Sequence, residues 1–412
     1  MKKNVVILTV FLALAVSTFL PAGEKRTPQL LMARQSPGTA IDWQWRLGSN
    51  LQLFPFMKIE TESLRFLDEN GRERNDVPYL PHSVVSIAPN RSCIGSAELI
   101  GENTLAPEDK IFRYRMHSGD GRLLYSFEKK KPYDEPLWSM YTFSTGRALL
   151  TDGARGSAEL YDEAGQLAAH IELFDEEIFD YEKPIDCALA EDRGRFYIAA
   201  QKRPMTREPG TLRLISGEPW LFCFNLDGEE LWRKAVDCPT FTRFTVSPGG
   251  QYLLLAHHSL TEQDVLIAAT TVYDSDGNSV MEIPGNYRTS AFSMDETTLF
   301  LADKKSLYSV DVPKGMVQKM YTLPQSESGI FARLTTGHSD GGVIGLVATS
   351  VFQNNRFEFG QIRVQKFTAT GASDWMIDLG SDILLTPTVH VEQSQLAVGF
   401  VSNYKIFREN RD

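Results

Sequence analysis

Apolar and polar residues alternate along most of this chain in short runs, the period of a half-buried β-strand, and no stretch carries a useful 3.6-residue helical stripe. The runs come in pairs around turns. One kind of pair closes on Asp and Gly: FLDENGRER at Gly71, MHSGDGRLLYSF at Gly121, LYDEAGQLAAHI at Gly165, FNLDGEELWRKAV at Gly228, VYDSDGNSVMEI at Gly277, SVDVPKGMVQKM at Gly315 and FTATGASDWMIDL at Gly371. These predict seven hairpins, because tight turns need a positive φ that glycine adopts without steric cost. A second kind of pair alternates with the first: VVSIAPNRSCIGSA, MYTFSTGRALLTD, CALAEDRGRFYIAA, FTVSPGGQYLLLA, AFSMDETTLFLAD, TTGHSDGGVIGLVA and VHVEQSQLAVGFV. With Ala88, Ser144, Ala190, Ser247, Ser293, Ser339 and Val391 as equivalent positions, the spacings are 56, 46, 57, 46, 46 and 52.

Two hairpins per repeat make four strands, and a period in this range signals a repeat architecture. Four-stranded antiparallel sheets repeated radially are the blades of a β-propeller. No Pro/Gly/Ser-rich linker follows Pro28, so one all-β domain over residues 41–412 is expected, after a lead segment at 23–40. Seven blades are favoured, with an eighth, short first blade between Gly38 and Asn70 as the alternative. The chain ends echo each other. At an offset of 332, residues 42–67 match 374–399 at eight of 26 positions, among them Trp43/Trp375, Gly48/Gly380 and Pro55/Pro387. The echo predicts that an N-terminal strand, residues 43–47, closes the ring beside the last strand near Phe407.

The start of the chain reads as an address. Lys2 and Lys3 precede the apolar run VVILTVFLALAV and the small residues Ser17, Ala22 and Gly23, the layout of a secretory signal peptide over residues 1–22. The run is shorter than the roughly 20 apolar residues that span a bilayer. Cleavage after Ser17 or Ala22 would leave a bacterial protein in the periplasm or outside the cell, with no membrane-spanning segment. Composition adds one exclusion. With 42 Lys plus Arg against 53 Asp plus Glu the net charge is −11, which argues against a nucleic-acid partner. Cys93, Cys187, Cys223 and Cys238 contain no CxxC spacing and read as small apolar core residues; the turn at Asp227-Gly228 should set Cys223 opposite Trp232 and leave Cys238 out of reach.

The segments FNLDGEELWRKAV and FTATGASDWMIDL, an apolar strand, a Gly turn and a following Trp, resemble the repeats of PQQ-like and WD40-like bacterial propellers over about residues 42–407. Trp232 and Trp375 fall at the PQQ-like Trp position, and Trp43 joins them by the echo; all three are expected to be structural. The family's full ring of Trp and the WD dipeptide are missing. Such propellers include quinoprotein dehydrogenases, lactonases and scaffolds, so the resemblance selects no function.

Candidate chemistry is sparse. GxSxG, HExxH, GxxxxGK[ST] and GxGxxG are absent, and no vicinal Cys pair is present for a quinone, so no catalytic residue, cofactor or metal is assigned. Asp274 to Asn278 spaces oxygens like a calcium loop but lacks the EF-hand Gly and Glu positions, so a hairpin turn is expected. His257 and His258 are expected on a solvated loop near Asp264. The acidic run 172–182 reads as a solvated connection between blades. Four connections exceed a hairpin turn: 100–110, 129–136, 202–219 and 257–265. The first, third and fourth leave at the same point of the repeat and should share one face, with the second on the other side. Glu108, Asp109, Lys202, Arg203, Arg207, His257, His258 and Asp264 mark that face. The expected function is a non-enzymatic exported scaffold that binds a protein or cell-envelope polymer there; the alternative is a lactonase- or quinoprotein-type enzyme with its site in the central channel.

Overall fold

A computed structural model describes residues 28–35, 46–47, 53–54, 63–67, 73–78 and 84–408, apart from 90–91, 103–108, 133–138, 154, 175–184, 204, 212, 262–264, 326–328, 337–340, 354–355, 382–387, 393–394 and 400–402. The signal-peptide reading, Trp43, and most of the acidic run lie outside these residues. No helix among the described residues is long and apolar enough to cross a membrane.

Seven four-stranded antiparallel sheets account for most of the described chain. Blade 1 is built from Val84–Ile87, Cys93–Glu102, Asp109–Ser118 and Leu123–Pro132, from inner to outer strand. Blade 2 follows with Ser139–Thr142, Ala148–Asp152, Ser157–Tyr161 and Leu167–Glu172, and blade 3 with Ile185–Ala190, Arg195–Gln201, Pro219–Asn225 and Glu230–Ala235. Blade 4 is Thr240–Val246, Tyr252–Leu260, Leu266–Asp274 and Ser279–Pro284; blade 5 is Thr289–Phe292, Thr298–Ala302, Ser306–Asp311 and Met316–Thr322. Blade 6 is Gly329–Thr335, Val343–Gln353, Arg356–Phe367 and Ser373–Ser381. Each hairpin of the second sequence type forms an inner and second strand, so the seven-bladed β-propeller expected from the repeat is the fold.

Blade 7 closes the ring, and its outer strand corrects one expectation. Thr388–Glu392, Gln395–Gly399 and Asn403–Arg408 are completed by Gln29–Gln35, which pairs antiparallel with the last strand from Gln29 opposite Arg408 to Gln35 opposite Asn403. An N-terminal strand does close the propeller, but it comes from the segment read as a lead and not from residues 43–47. Arg46–Leu47 pairs instead with Leu53–Phe54, and Ser63–Leu67 with Glu73–Pro78. The Gly71 hairpin therefore belongs to a separate two-stranded sheet, and no eighth four-stranded sheet is present among the described residues. At the offset of 332 Ser63–Leu67 overlies Gln395–Gly399, so the echo marks a repeated local hairpin rather than a pairing partner.

The core lies between blades. Phe196, Phe222 and Phe224 of blade 3 pack with Phe143 and Leu160 of blade 2, and Trp375 of blade 6, 2% exposed, packs against Leu396, Val398 and Phe407 of blade 7. All four cysteines are buried and unpaired, and Cys223 stands opposite Trp232 as the turn chemistry requires. Outer-strand side chains also press on the next blade's third-to-outer turn. At Gly277, φ 73°, a Cβ would sit 2.7 Å from the Trp232 ring; at Gly165 it would sit 2.5 Å from Tyr125. The Asp274 turn holds no calcium geometry: Lys234 Nζ donates to Asp276 O at 2.7 Å and to Asn278 Oδ1 at 2.8 Å, filling the place of a cation.

Replacing Gly277 by Ala combines a left-handed φ with the Trp232 contact, and should lower stability by about 2 kcal/mol or more. Gly315→Ala, where φ is 65° but nothing lies within 4 Å of the new Cβ, should cost about 1 kcal/mol. Urea unfolding of both variants checks the difference. Deleting the chain through Gln35 should lower Tm strongly by exposing the edge of Asn403–Arg408, whereas Trp43→Ala should leave the closure intact.

Candidate interaction face

Strand alternation fixes two faces. Inner and third strands run one way, second and outer strands the other, so every inner-to-second and third-to-outer turn lies on one side, here the turn face. The second-to-third and outer-to-inner connections lie on the opposite, connection face.

The turn face and the axis are tightly tied. Around the axis Thr142 N–H donates to Ser86 Oγ at 3.0 Å, Tyr141 O–H to Asp186 Oδ1 at 3.4 Å, Phe244 N–H to Asp186 Oδ2 at 3.2 Å, Arg243 Nη1 to Arg288 O at 3.0 Å, and Leu334 N–H to Thr289 Oγ1 at 2.9 Å. These five contacts join blades 1 to 6 in order. On the turn face Glu191 accepts from the Ser144 N–H at 2.9 Å, Arg193 Nε donates to Gly249 O at 2.7 Å, and Glu296 accepts from Ser247 Oγ–H and from the N–H of Gly249 and Gln251. Burial raises the Asp186 and Glu191 carboxyls above their ordinary values.

The connection face carries what is left of the chain. In blade 1 the second strand runs on past Ala97, its last partner opposite the inner strand, to Glu102; in blade 6 it runs past Thr349 to Gln353. Between the second and third strands of blade 3, Thr206–Arg207 and Leu214–Ile215 form an inserted hairpin. Its base is clamped: buried Gln201 donates through Nε2 to Pro239 O at 3.0 Å and accepts from Thr240 Oγ–H at 3.1 Å, while Gly217 N–H bonds Pro239 O at 3.0 Å. A Cβ at Gly217 would lie 2.4 Å from that carbonyl, so only glycine fits.

The candidate residues distribute as follows. Lys202 is half-buried and its N–H bonds Glu218 O at 2.8 Å; Arg203 is exposed, with Nη1 3.4 Å from Glu218 Oε1; Arg207 is exposed on the hairpin. Asp109 begins the third strand of blade 1; Glu108 and Asp264 lie outside the described residues. Two expectations fail. His257 and His258 are not on a loop: the strand Tyr252–Leu260 continues through them, His257 is buried with Nε2 2.8 Å from Thr271 Oγ1, and His258 is half-buried. An apolar strand that ends on polar residues looks finished in sequence, but here it continues through both histidines, paired with Phe241 and Thr240 of the inner strand and with Ala269 and Ala268 of the third. Nor does 129–136 belong to the other side: Leu123–Pro132 is an outer strand, and Pro132 is paired with Asp109, so this connection leaves from the same face as the other three.

Sequence reasoning missed three features of this face. Gln35, the end of the closing strand, and Val84, the start of blade 1, both lie on it, so residues 36–83 with their two small sheets leave and re-enter there. Ile215, Val265, Leu266 and Ile267 are exposed on the neighbouring blades 3 and 4. Arg243 and Arg333 occupy equivalent positions on the inner strands of blades 4 and 6; Arg243 is half-buried, where desolvation favours its neutral form, and Arg333 is exposed. Nε and Nη2 of Arg243 are enclosed without an acceptor, a situation that costs of order several kcal/mol when no anion is bound. No group of three His, Cys, Asp or Glu is arranged as metal ligands among the described residues.

Solved structures share this architecture. The crystal structure of a eukaryotic initiation factor matches with a TM-score of 0.51 and 14% identity over 93% of both chains. The C-terminal WD40 domain of Sif2 matches at 0.52 with 10% identity over 93% of this chain and 97% of that one, and the Dos1 propeller at 0.52 with 10% identity over 94% and 95%. The shared feature is the β-propeller fold. No protein-family model and no curated protein matches the chain.

Stability should depend on pH through buried imidazoles. Burial holds His117 down at about 4 and lowers His257, so both take up protons less readily when folded than in the unfolded chain, which does so near 6.5. Their contribution is present above that value and is lost as pH falls from about 6.5 toward 4. Thermal unfolding across this window should show Tm falling less steeply in the His117→Gln, His257→Gln double variant than in the natural protein.

Proposed function

We propose that this protein is an exported, non-enzymatic propeller scaffold that receives a protein partner on its connection face. The observation that carries the reading is the asymmetry between faces: tight, bonded turns on one side, and on the other the inserted hairpin, the overrunning strand pairs and both ends of the 36–83 connection. Long connections held by a rigid frame are where binding concentrates. The pairing of exposed Arg203 and Arg207 with exposed Ile215, Val265, Leu266 and Ile267 suits an acidic protein surface with apolar anchors. Likeness to WD40 propellers, which commonly serve as protein-interaction scaffolds, supports the same reading. Export rests on the basic start and the apolar run of residues 1–22.

Immobilised protein should capture a partner from native envelope extract. Replacing Lys202, Arg203 and Arg207 together by Ala should slow its association several-fold, most visibly at low salt, while Tm stays nearly unchanged, because exposed charges steer association and add little stability. Lys314→Ala, on a turn of the opposite face, should bind like the natural protein. Loss of capture in Lys314→Ala with full capture by the triple variant would put the partner on the turn face.

A further inference from the structure

The two axial arginines share more than their place in the repeat. Arg243 and Arg333 each follow a Phe by two residues, in Phe241-Thr242-Arg243-Phe244 and Phe331-Ala332-Arg333-Leu334, and each stands at a break in strand register, between Phe241 and Arg243 and between Phe331 and Arg333. The extra residue of a bulge re-aims the side chain beside it. Phe241 and Phe244 pack toward blade 3, and Phe331 and Leu334 toward blade 5, so both arginines are turned away from those apolar seams, and Arg333 is exposed. Arg243 shows the result, reaching Arg288 O on the threshold of blade 5.

A guanidinium carries five N–H donors, and the pair uses few of them. Arg243 spends one on Arg288 O; its Nε and Nη2 have no acceptor, and Arg333 makes no side-chain hydrogen bond or ion pair among the described residues. Two further cations stand beside them. Arg288 is exposed at the start of the inner strand of blade 5, and Lys304 is exposed in the next turn, its carbonyl accepting the Phe331 N–H at 3.0 Å. The nearby described carboxylates are engaged elsewhere: Asp186 accepts from Cys187 and Phe244 N–H and from the Tyr141 hydroxyl, and Asp303 from Lys305 N–H, Ser306 N–H and the Tyr308 hydroxyl. In a chain of net charge −11, four cations around one stretch of the axis without an acidic partner among the described residues are not average surface.

We propose that the inner rim of blades 4 to 6, at the connection-face mouth of the axial channel, binds a small polyoxyanion, a ligand with two or more phosphate or carboxylate groups. Arg243 and Arg333 anchor it, each able to grip an oxyanion through two parallel N–H donors, and Arg288 and Lys304 draw it to the entrance. The site is independent of the protein-partner reading and uses none of its residues.

Tripolyphosphate and citrate serve as probes for the two oxyanion types, titrated calorimetrically into the full chain against sodium chloride of equal ionic strength. Saturable binding of either, with a rise in Tm beyond that of the matched salt, is the expected result, and whichever probe binds more tightly identifies the group. Arg333→Gln should weaken that binding at least tenfold and Arg243→Gln similarly. Arg333 is exposed and has no side-chain hydrogen bond to a described residue, so its variant reads the site even if Arg243→Gln folds poorly. The Lys202, Arg203, Arg207 triple Ala variant should bind the probe unchanged. The proposal is overturned if both probes behave as the matched salt, if Arg333→Gln binds as tightly as the natural chain, or if the triple variant loses the binding instead.

Discussion

Whatever the connection face does depends on seven inner strands being held at fixed angles about one axis, and side-chain hydrogen bonds across the seams hold blades 1 to 6 this way. Each seam is tied near the axis by a different chemistry: a Ser hydroxyl, a Tyr–Asp pair, an Asp carboxylate on a backbone N–H, an Arg on a carbonyl, a Thr on a backbone N–H. The turn face repeats the tie at each of these seams, through Ser92 to Ser144 O, Glu191, Arg193, Glu296 and Thr336 to Phe292 O. Farther out, Arg147 reaches Leu226 O and Asp227, and Arg195 reaches Ser275 O and Asp276, from equivalent positions in blades 2 and 3. Apolar packing between blades supplies most of the stability but is indifferent to small rotations. The directional bonds remove that freedom.

Blade 7 is different in kind, because its fourth strand comes from the other end of the chain. Gln29–Gln35 must find Asn403–Arg408 across nearly the whole sequence, so this pairing pays the largest loop-closure entropy in the fold. Once formed it removes the free edge that an open ring would expose. Trp375 then works from blade 6 onto the same sheet, so closure is sealed by one buried indole as well as by the strand ladder.

Local features of this architecture were legible and non-local ones were not. The Asp-Gly turns, the alternation and the repeat period are written within a dozen residues each, and they led to four strands per repeat and to Cys223 opposite Trp232. The closing strand was misplaced because similarity between residues 42–67 and 374–399 records a shared hairpin, whereas which strand pairs with which edge depends on the whole ring. QLLMARQ carries no turn signature to announce it. The His257 expectation fails for a related reason: the inner strand of blade 4 pairs with the second strand through His258, and nothing in LAHHSL says how far that support reaches. The Phe-x-Arg sequences at 241–243 and 331–333 were visible at the same point of two repeats, yet only the register breaks show that they aim both arginines away from the apolar seam.

The division of labour between faces follows from these constraints. Glu296 is held with φ at 61°, a conformation unfavourable for any residue but glycine, and it keeps that backbone because its carboxylate answers three donors from the neighbouring blade. Strain of this sort is tolerated where the strained residue's own carboxylate is fully engaged. At the opposite end of the axis Arg243 gives one donor to Arg288 O, while its Nε and Nη2 meet no acceptor among the described residues. One end of the channel has therefore been completed by the fold itself, and the other has been left with unspent hydrogen-bonding capacity, which is the physical difference between a surface that only holds blades together and one that can take a ligand.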